Sequence, residues 1–92
     1  MTIYKINHWI NETLEPYYVK TEAIRNGYSI TILQYEYDLM EEYWEFIKKF
    51  PFEFHDLIGG DGIGKITIEF EPNLSDVIGS PYFKFTITYI GD

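Results

Sequence analysis

The sequence predicts an α+β domain in the order α-β-β-α-β-β, with two helices packed on one face of a four-stranded antiparallel sheet. Three observations lead there. Apolar residues recur at spacings of three and four in Thr2–Leu14 and Asp38–Phe50, the period of a helix face. They alternate in Ile63–Glu71 and Tyr82–Ile90, the period of a strand with one wet side. Between the two helical segments lies Asn26-Gly27, a strong hairpin signal.

The first helix gathers Ile3, Ile6, Trp9, Ile10 and Leu14 on one face. Thr2 can cap its start, and Pro16 bars its continuation. A short strand over Thr2–Ile6 followed by a helix from Asn7 is the alternative.

Tyr17–Tyr37 reads as a hairpin turning on Asn26-Gly27, both central positions of a type I′ turn needing positive φ. That turn sets Arg25 opposite Tyr28, Ala23 opposite Ile30, Thr21 opposite Ile32 and Val19 opposite Gln34. Val19, Ala23, Ile30 and Ile32 then share a face, while Leu33, Tyr35 and Tyr37 fall on the other. A bulge or strong twist near Leu33–Gln34 would reconcile the halves.

In the second helix Asp38 and Glu41 have capping-box spacing. Leu39, Met40, Tyr43, Trp44, Phe46, Ile47 and Phe50 form a broad apolar face. Acids at its start and Lys48 and Lys49 at its end suit the helix dipole, and Pro51 is expected to stop it. Residues 52–62 then form a loop. The link from Pro72 to Pro81 leaves room for a turn of helix at Leu74–Ile78.

Ninety-two residues make one domain, residues 1–92, because halves would be too small to bury a core. The apolar fraction of 46% is that of a globular chain rather than a disordered one. There is no cysteine, so disulfides and thiolate chemistry are excluded and packing alone must hold the fold, as suits a reducing cytoplasm. No stretch has the length and apolarity of a signal peptide or a membrane span.

The net charge of −8 argues against direct nucleic-acid binding and against anionic membranes, both of which need clustered Lys and Arg. It favours encounter with a basic partner, although many cytosolic proteins are simply acidic.

Catalytic and cofactor motifs fail one by one. The run Gly59-Gly60-Asp61-Gly62-Ile63-Gly64 leads into a strand rather than a helix, and Lys65 lacks a following hydroxyl, so neither phosphate-binding pattern is met. It reads as a turn, or as a contact loop rimmed by Asp56 and Asp61. His55, Asp56 and Asp61 offer metal-ligating groups, but one histidine on a loop is poorly pre-organised, and no metal or cofactor is expected. Glu41-Glu42 and Glu69-x-Glu71 fall on wet surfaces, without the burial that acid–base catalysis requires. Ser29, Ser75 and Ser80 lack the context of an activated nucleophile, so the chain is not expected to be an enzyme.

What remains is an acidic surface interleaved with tyrosines. Tyr35, Glu36, Tyr37, Asp38, Glu41, Glu42, Tyr43 and Glu45 cluster in sequence around the second helix, and Asp56 and Asp61 extend the set. Tyrosine supplies large, rigid interface contacts, and acids complement a basic surface. The plainer reading is that each ring packs in the core while the acids solvate the helix.

The expected function is that of a small binding protein that inhibits a basic partner by occluding its cleft. Its natural form is a bacterial immunity protein or antitoxin that neutralises a toxin nuclease. The alternatives are a phage-encoded inhibitor that mimics nucleic acid against a host defence complex, of the anti-CRISPR type, and a small-molecule-binding or enzymatic domain using the Gly59–Gly64 loop. The chain is expected as a monomer or weak homodimer.

Overall fold

The computed structural model describes residues 2–59, 64–73 and 81–91. Helix α1 (Thr2–Leu14) is followed by strands β1 (Tyr18–Ile24) and β2 (Gly27–Gln34). A 3-10 turn (Tyr37–Leu39) leads into helix α2 (Met40–Leu57), and strands β3 (Lys65–Asn73) and β4 (Tyr82–Ile90) complete the order. The sheet is antiparallel throughout, in the order β1-β2-β4-β3. The α+β class and the element order are as the sequence predicts.

Register explains the two-faced sheet. Ile30, Ile87 and Ile68 stand in one cross-strand row, and Ile32, Phe85 and Phe70 in the next. These rows face the helices. Ile30, Ile32, Phe83, Phe85 and Ile87 are wholly buried beneath Ile6 and Ile10 of α1 and Tyr43, Phe50 and Phe54 of α2. Trp9 ties the helices together, its ring 5.0 Å from Phe46 and 5.3 Å from Phe50. The opposite face carries the rows Lys20–Thr31–Thr86–Glu69 and Glu22–Ser29–Thr88–Thr67. Helix α1 is continuous from Thr2, and the chain leaves it at Glu15 with φ +47°, ahead of Pro16.

The hairpin differs from expectation by one step of its ladder. The turn centres on Arg25 and Asn26, and Ile24 pairs with Gly27, so Ala23 meets Tyr28 and Thr21 meets Ile30. Asn26 alone takes positive φ there, at +61°. The physical reason lies across the sheet. A Cβ at Gly27 would sit 1.7 Å from the Tyr89 carbonyl oxygen, so glycine is required here for close strand approach and belongs to β2. The Gly91 N–H donates to the Asn26 carbonyl at 2.6 Å and anchors the end of β4 to the turn. A shift of two residues preserves side-chain parity, so the inward set is unchanged.

The expected bulge near Gln34 does not form. Both ladders of β2 run without interruption, and the strand ends at Gln34. The Gln34 side-chain oxygen accepts from the backbone N–H groups of Tyr35, at 2.8 Å, and Glu36, at 3.1 Å, and turns the chain out of the sheet.

Helix α2 departs most from the sequence reading. Pro51 does not stop it; the helix continues to Leu57 and absorbs half of the expected loop. An internal proline costs about 3 kcal/mol through its lost hydrogen bond and ring clash. Phe54 offsets that cost. It is wholly buried, stacks on Phe50 at 5.0 Å and meets Tyr89 edge-on at 5.2 Å. Burial of such a ring is worth about 1.5–3 kcal/mol and each ring pair a further ~1 kcal/mol. The capping box also fails: neither Glu36 nor Leu39, the residues that cap the 3-10 turn and α2, makes a side-chain cap bond.

Strand β4 has the expected bounds. Strand β3 runs on to Asn73, including Pro72, which an edge strand tolerates. The expected turn of helix at Leu74–Ile78 lies outside the described residues, as do Gly60, Asp61, Gly62 and Ile63 of the glycine run. No helix among the described residues is long and apolar enough to cross a membrane.

Candidate functional site

The turn out of β2 builds a hollow at one end of the molecule. Its lining is Glu15, Tyr17, Gln34, Tyr35 and Glu36, around a volume of about 590 Å³. Glu15 and Tyr17 come from the exit of α1, redirected by Pro16. Tyr35 and Glu36 come from the bend that Gln34 enforces. Tyr17 is 70% exposed, and its ring meets Tyr35 edge-on at 4.6 Å. Tyr35 in turn stands 6.0 Å from Tyr82. Two carboxylates and two half-free rings thus share one concavity.

Gln34 is the keystone. It is buried, and its amide nitrogen donates to the Tyr43 hydroxyl at 3.0 Å while its oxygen holds the bend. Tyr43 has its pKa raised, first by burial and then by the nearby carboxylates of Glu36 and Glu42, while the bond from Gln34 opposes the shift. Of these two acids, Glu36 lines the hollow and Glu42 stands in the first turn of α2. Asp38, Glu41 and Glu42 are exposed on the same end of α2. Glu45 is exposed too, but it pairs with Lys48 at 3.2 Å.

The residues expected from sequence thus divide. Tyr35, Glu36, Asp38, Glu41 and Glu42 are at the surface around this end of the fold. Tyr43 is only 1% exposed and serves the core. Tyr37 is half-buried, its ring against Phe83 and its hydroxyl 2.7 Å from the Tyr82 carbonyl and 3.2 Å from that of Asn73. It locks the ends of β3 and β4 together. Asp56 lies at the far end of α2, roughly 20 Å along the axis from Glu42 at 1.5 Å per residue. Asp61 is outside the described residues.

The sequence reading missed Glu15 and Tyr17. They lie two elements away in the chain, and only the hairpin register brings them beside Gln34 and Tyr35. The signal available was the Glu15-Pro16-Tyr17-Tyr18 break itself, an aromatic pair directly after a helix stop.

His55 is placed in the last turn of α2 rather than on a loop. With Asp56 it borders a second, more apolar groove of about 640 Å³ lined also by Phe52, Phe54, Ile66 and Ile68. Among the described residues no three His, Asp or Glu side chains converge as a metal site would require. Comparison of the chain with protein-family models, with curated proteins and with solved structures finds no match in any of the three.

Proposed function

We propose that the chain is a binding protein that captures a basic protein partner, with the acidic, tyrosine-lined end as its contact surface. The observation that carries this reading is the hollow in which Tyr17 and Tyr35 stand beside Glu15 and Glu36. A lysine or arginine side chain suits that chemistry. Its cationic head is attracted both by a carboxylate and by the face of an aromatic ring, and its apolar stem packs on tyrosine. The acids Asp38, Glu41 and Glu42, exposed at and just before the start of α2 and without a salt bridge among the described residues, would steer a positively charged partner. The form of such a protein that best fits its small size and charge is an immunity protein or antitoxin that fills the basic cleft of a toxin nuclease and excludes the phosphate backbone.

The test is affinity capture from the native source with wild-type bait and with a Glu36→Lys, Glu42→Lys bait. Both positions are exposed, so folding should be preserved. A basic partner is expected, held less tightly as salt rises and lost from the double variant. A neutral or acidic partner, or one bound equally by both baits, would refute the reading.

A further inference from the structure

Strand β1 forms one edge of the sheet, and among the described residues no strand covers its outer side. The ladder dictates what that edge offers. The Gly91-to-Asn26 hydrogen bond continues the β2–β4 ladder, in which Asn26 stands in line with Tyr28, Ile30, Ile32 and Gln34. Those β2 residues therefore bond towards β4, and Gly27, Ser29, Thr31 and Leu33 bond towards β1. On β1 the groups of Tyr18, Lys20, Glu22 and Ile24 are thus satisfied inward. The backbone N–H and C=O of Val19, Thr21 and Ala23 point outward.

The side chains along this edge complement those of a reversed copy of the same edge. On the face away from the helices, Lys20 and Glu22 flank Thr21 symmetrically, joined by an ion pair of 2.6 Å, and Tyr18 and Ile24 lie beyond them. Tyr18 is 46% exposed and Ile24 36%.

We propose that two copies of the chain pair edge to edge through β1, antiparallel about a two-fold axis at Thr21. Each Lys20 then faces the partner's Glu22, and each Tyr18 faces the partner's Ile24. The outward groups of Val19, Thr21 and Ala23 meet those of the partner's Ala23, Thr21 and Val19, which makes every one of them part of a hydrogen-bonded pair. Neighbouring registers lack this match. Centring on Lys20 sets lysine against lysine, and centring on Glu22 sets glutamate against glutamate. Centring on Val19 or Ala23 leaves both charges without an opposite partner. The charge pattern therefore selects one register as well as one occupant, and the two sheets join into one with all helices on the same side. This pairing stands independently of the hollow and its proposed basic partner.

The experiment is sedimentation of the full chain up to about 1 mM, the weak end of association constants. It is run at 0.15 M salt, where the Debye length of about 8 Å screens repulsion between whole molecules more than between cross-strand neighbours about 5 Å apart. A monomer–dimer equilibrium is expected. Lys20→Glu and Glu22→Lys should each weaken it about tenfold, because each turns both symmetric attractive pairs into repulsive ones. They move the net charge of −8 in opposite directions, so a shared loss reports register and not overall charge. The variant carrying both changes should restore the wild-type constant. In wild type, the amides of Val19, Thr21 and Ala23 should gain exchange protection as concentration rises, while those of Lys20 and Glu22 should not change. A chain monomeric to 1 mM, single variants that dimerise like wild type, or a double variant without recovery would overturn the proposal.

Discussion

Replacement of Pro51 by alanine tests the least expected feature of the fold. The structure runs α2 unbroken from Met40 to Leu57 with Pro51 inside it. At that position the helix lacks one N–H bond, to the carbonyl four residues earlier, on Ile47. Alanine restores that bond and is favoured over proline by about 3 kcal/mol in a helix interior. Two effects reduce the gain. Alanine loosens the unfolded chain by roughly 0.4–1 kcal/mol, and the half-buried proline ring gives up some apolar contact. A net stabilisation of about 1–2 kcal/mol follows, or about 4–16 °C in Tm for a domain of this size. Thermal and urea unfolding, followed by far-UV circular dichroism, read it. In the Pro51→Ala variant the newly introduced amide should show exchange protection comparable to that of its neighbours. An unchanged or lowered Tm with that amide unprotected would mean that the helix ends at Phe50, and that the burial of Phe54 does not carry it through the proline.

Other outcomes follow from single contacts. Tyr43→Phe leaves the buried Gln34 amide without its acceptor and should cost about 1–3 kcal/mol in urea unfolding. The Tyr43 pKa is raised above 10.0 in the folded state, so the unfolded chain loses this proton first. Wild-type stability from this group is complete below about pH 10 and declines as pH rises through the folded pKa, a limb that the phenylalanine variant lacks. The wild-type advantage should therefore shrink as pH rises above about 10, and a constant difference would count against a buried hydroxyl. Gly27→Ala drives a methyl group into the Tyr89 carbonyl and should cost more than about 3 kcal/mol, measured as lost Tm or insoluble expression. A well-folded Gly27→Ala protein would show that β2 and β4 do not approach so closely at the turn.

Patterns of short range were legible in the residues. The alternation of Phe83, Phe85 and Ile87 marks β4 and its inward face, and the threefold and fourfold spacing of Ile6, Ile10 and Leu14 marks α1. Each follows from a period set by backbone geometry, which the chain carries locally. The acids of Glu36, Asp38, Glu41 and Glu42 were likewise visible as a run beside tyrosines, and they do share one end of the fold. What those tyrosines do was not visible. Tyr35 stays at the surface, whereas Tyr43, eight positions on, closes the core over Phe83 at 5.0 Å. A tyrosine has the same sequence signature in both places, because its ring suits a core and its hydroxyl suits an edge.

The chain by itself determined the α+β class, the order of its elements, the inward face of each strand and the strongly negative charge. These depend on residue type and on neighbours a few positions away. Only the tertiary structure decided the hairpin turn, the length of α2 and the membership of the hollow. Asn26-Gly27 prefers a turn centred on itself, but the approach of Tyr89 claims Gly27 for the sheet. Pro51 prefers to end a helix, but the pocket between Phe50, Tyr28 and Tyr89 holds Phe54 in one more turn. Glu15 and Tyr17 join Tyr35 and Glu36 because two strands pair between them. In each case a local preference of a few kcal/mol met burial or contact energy of the same size from residues distant in sequence, and the distant partners prevailed.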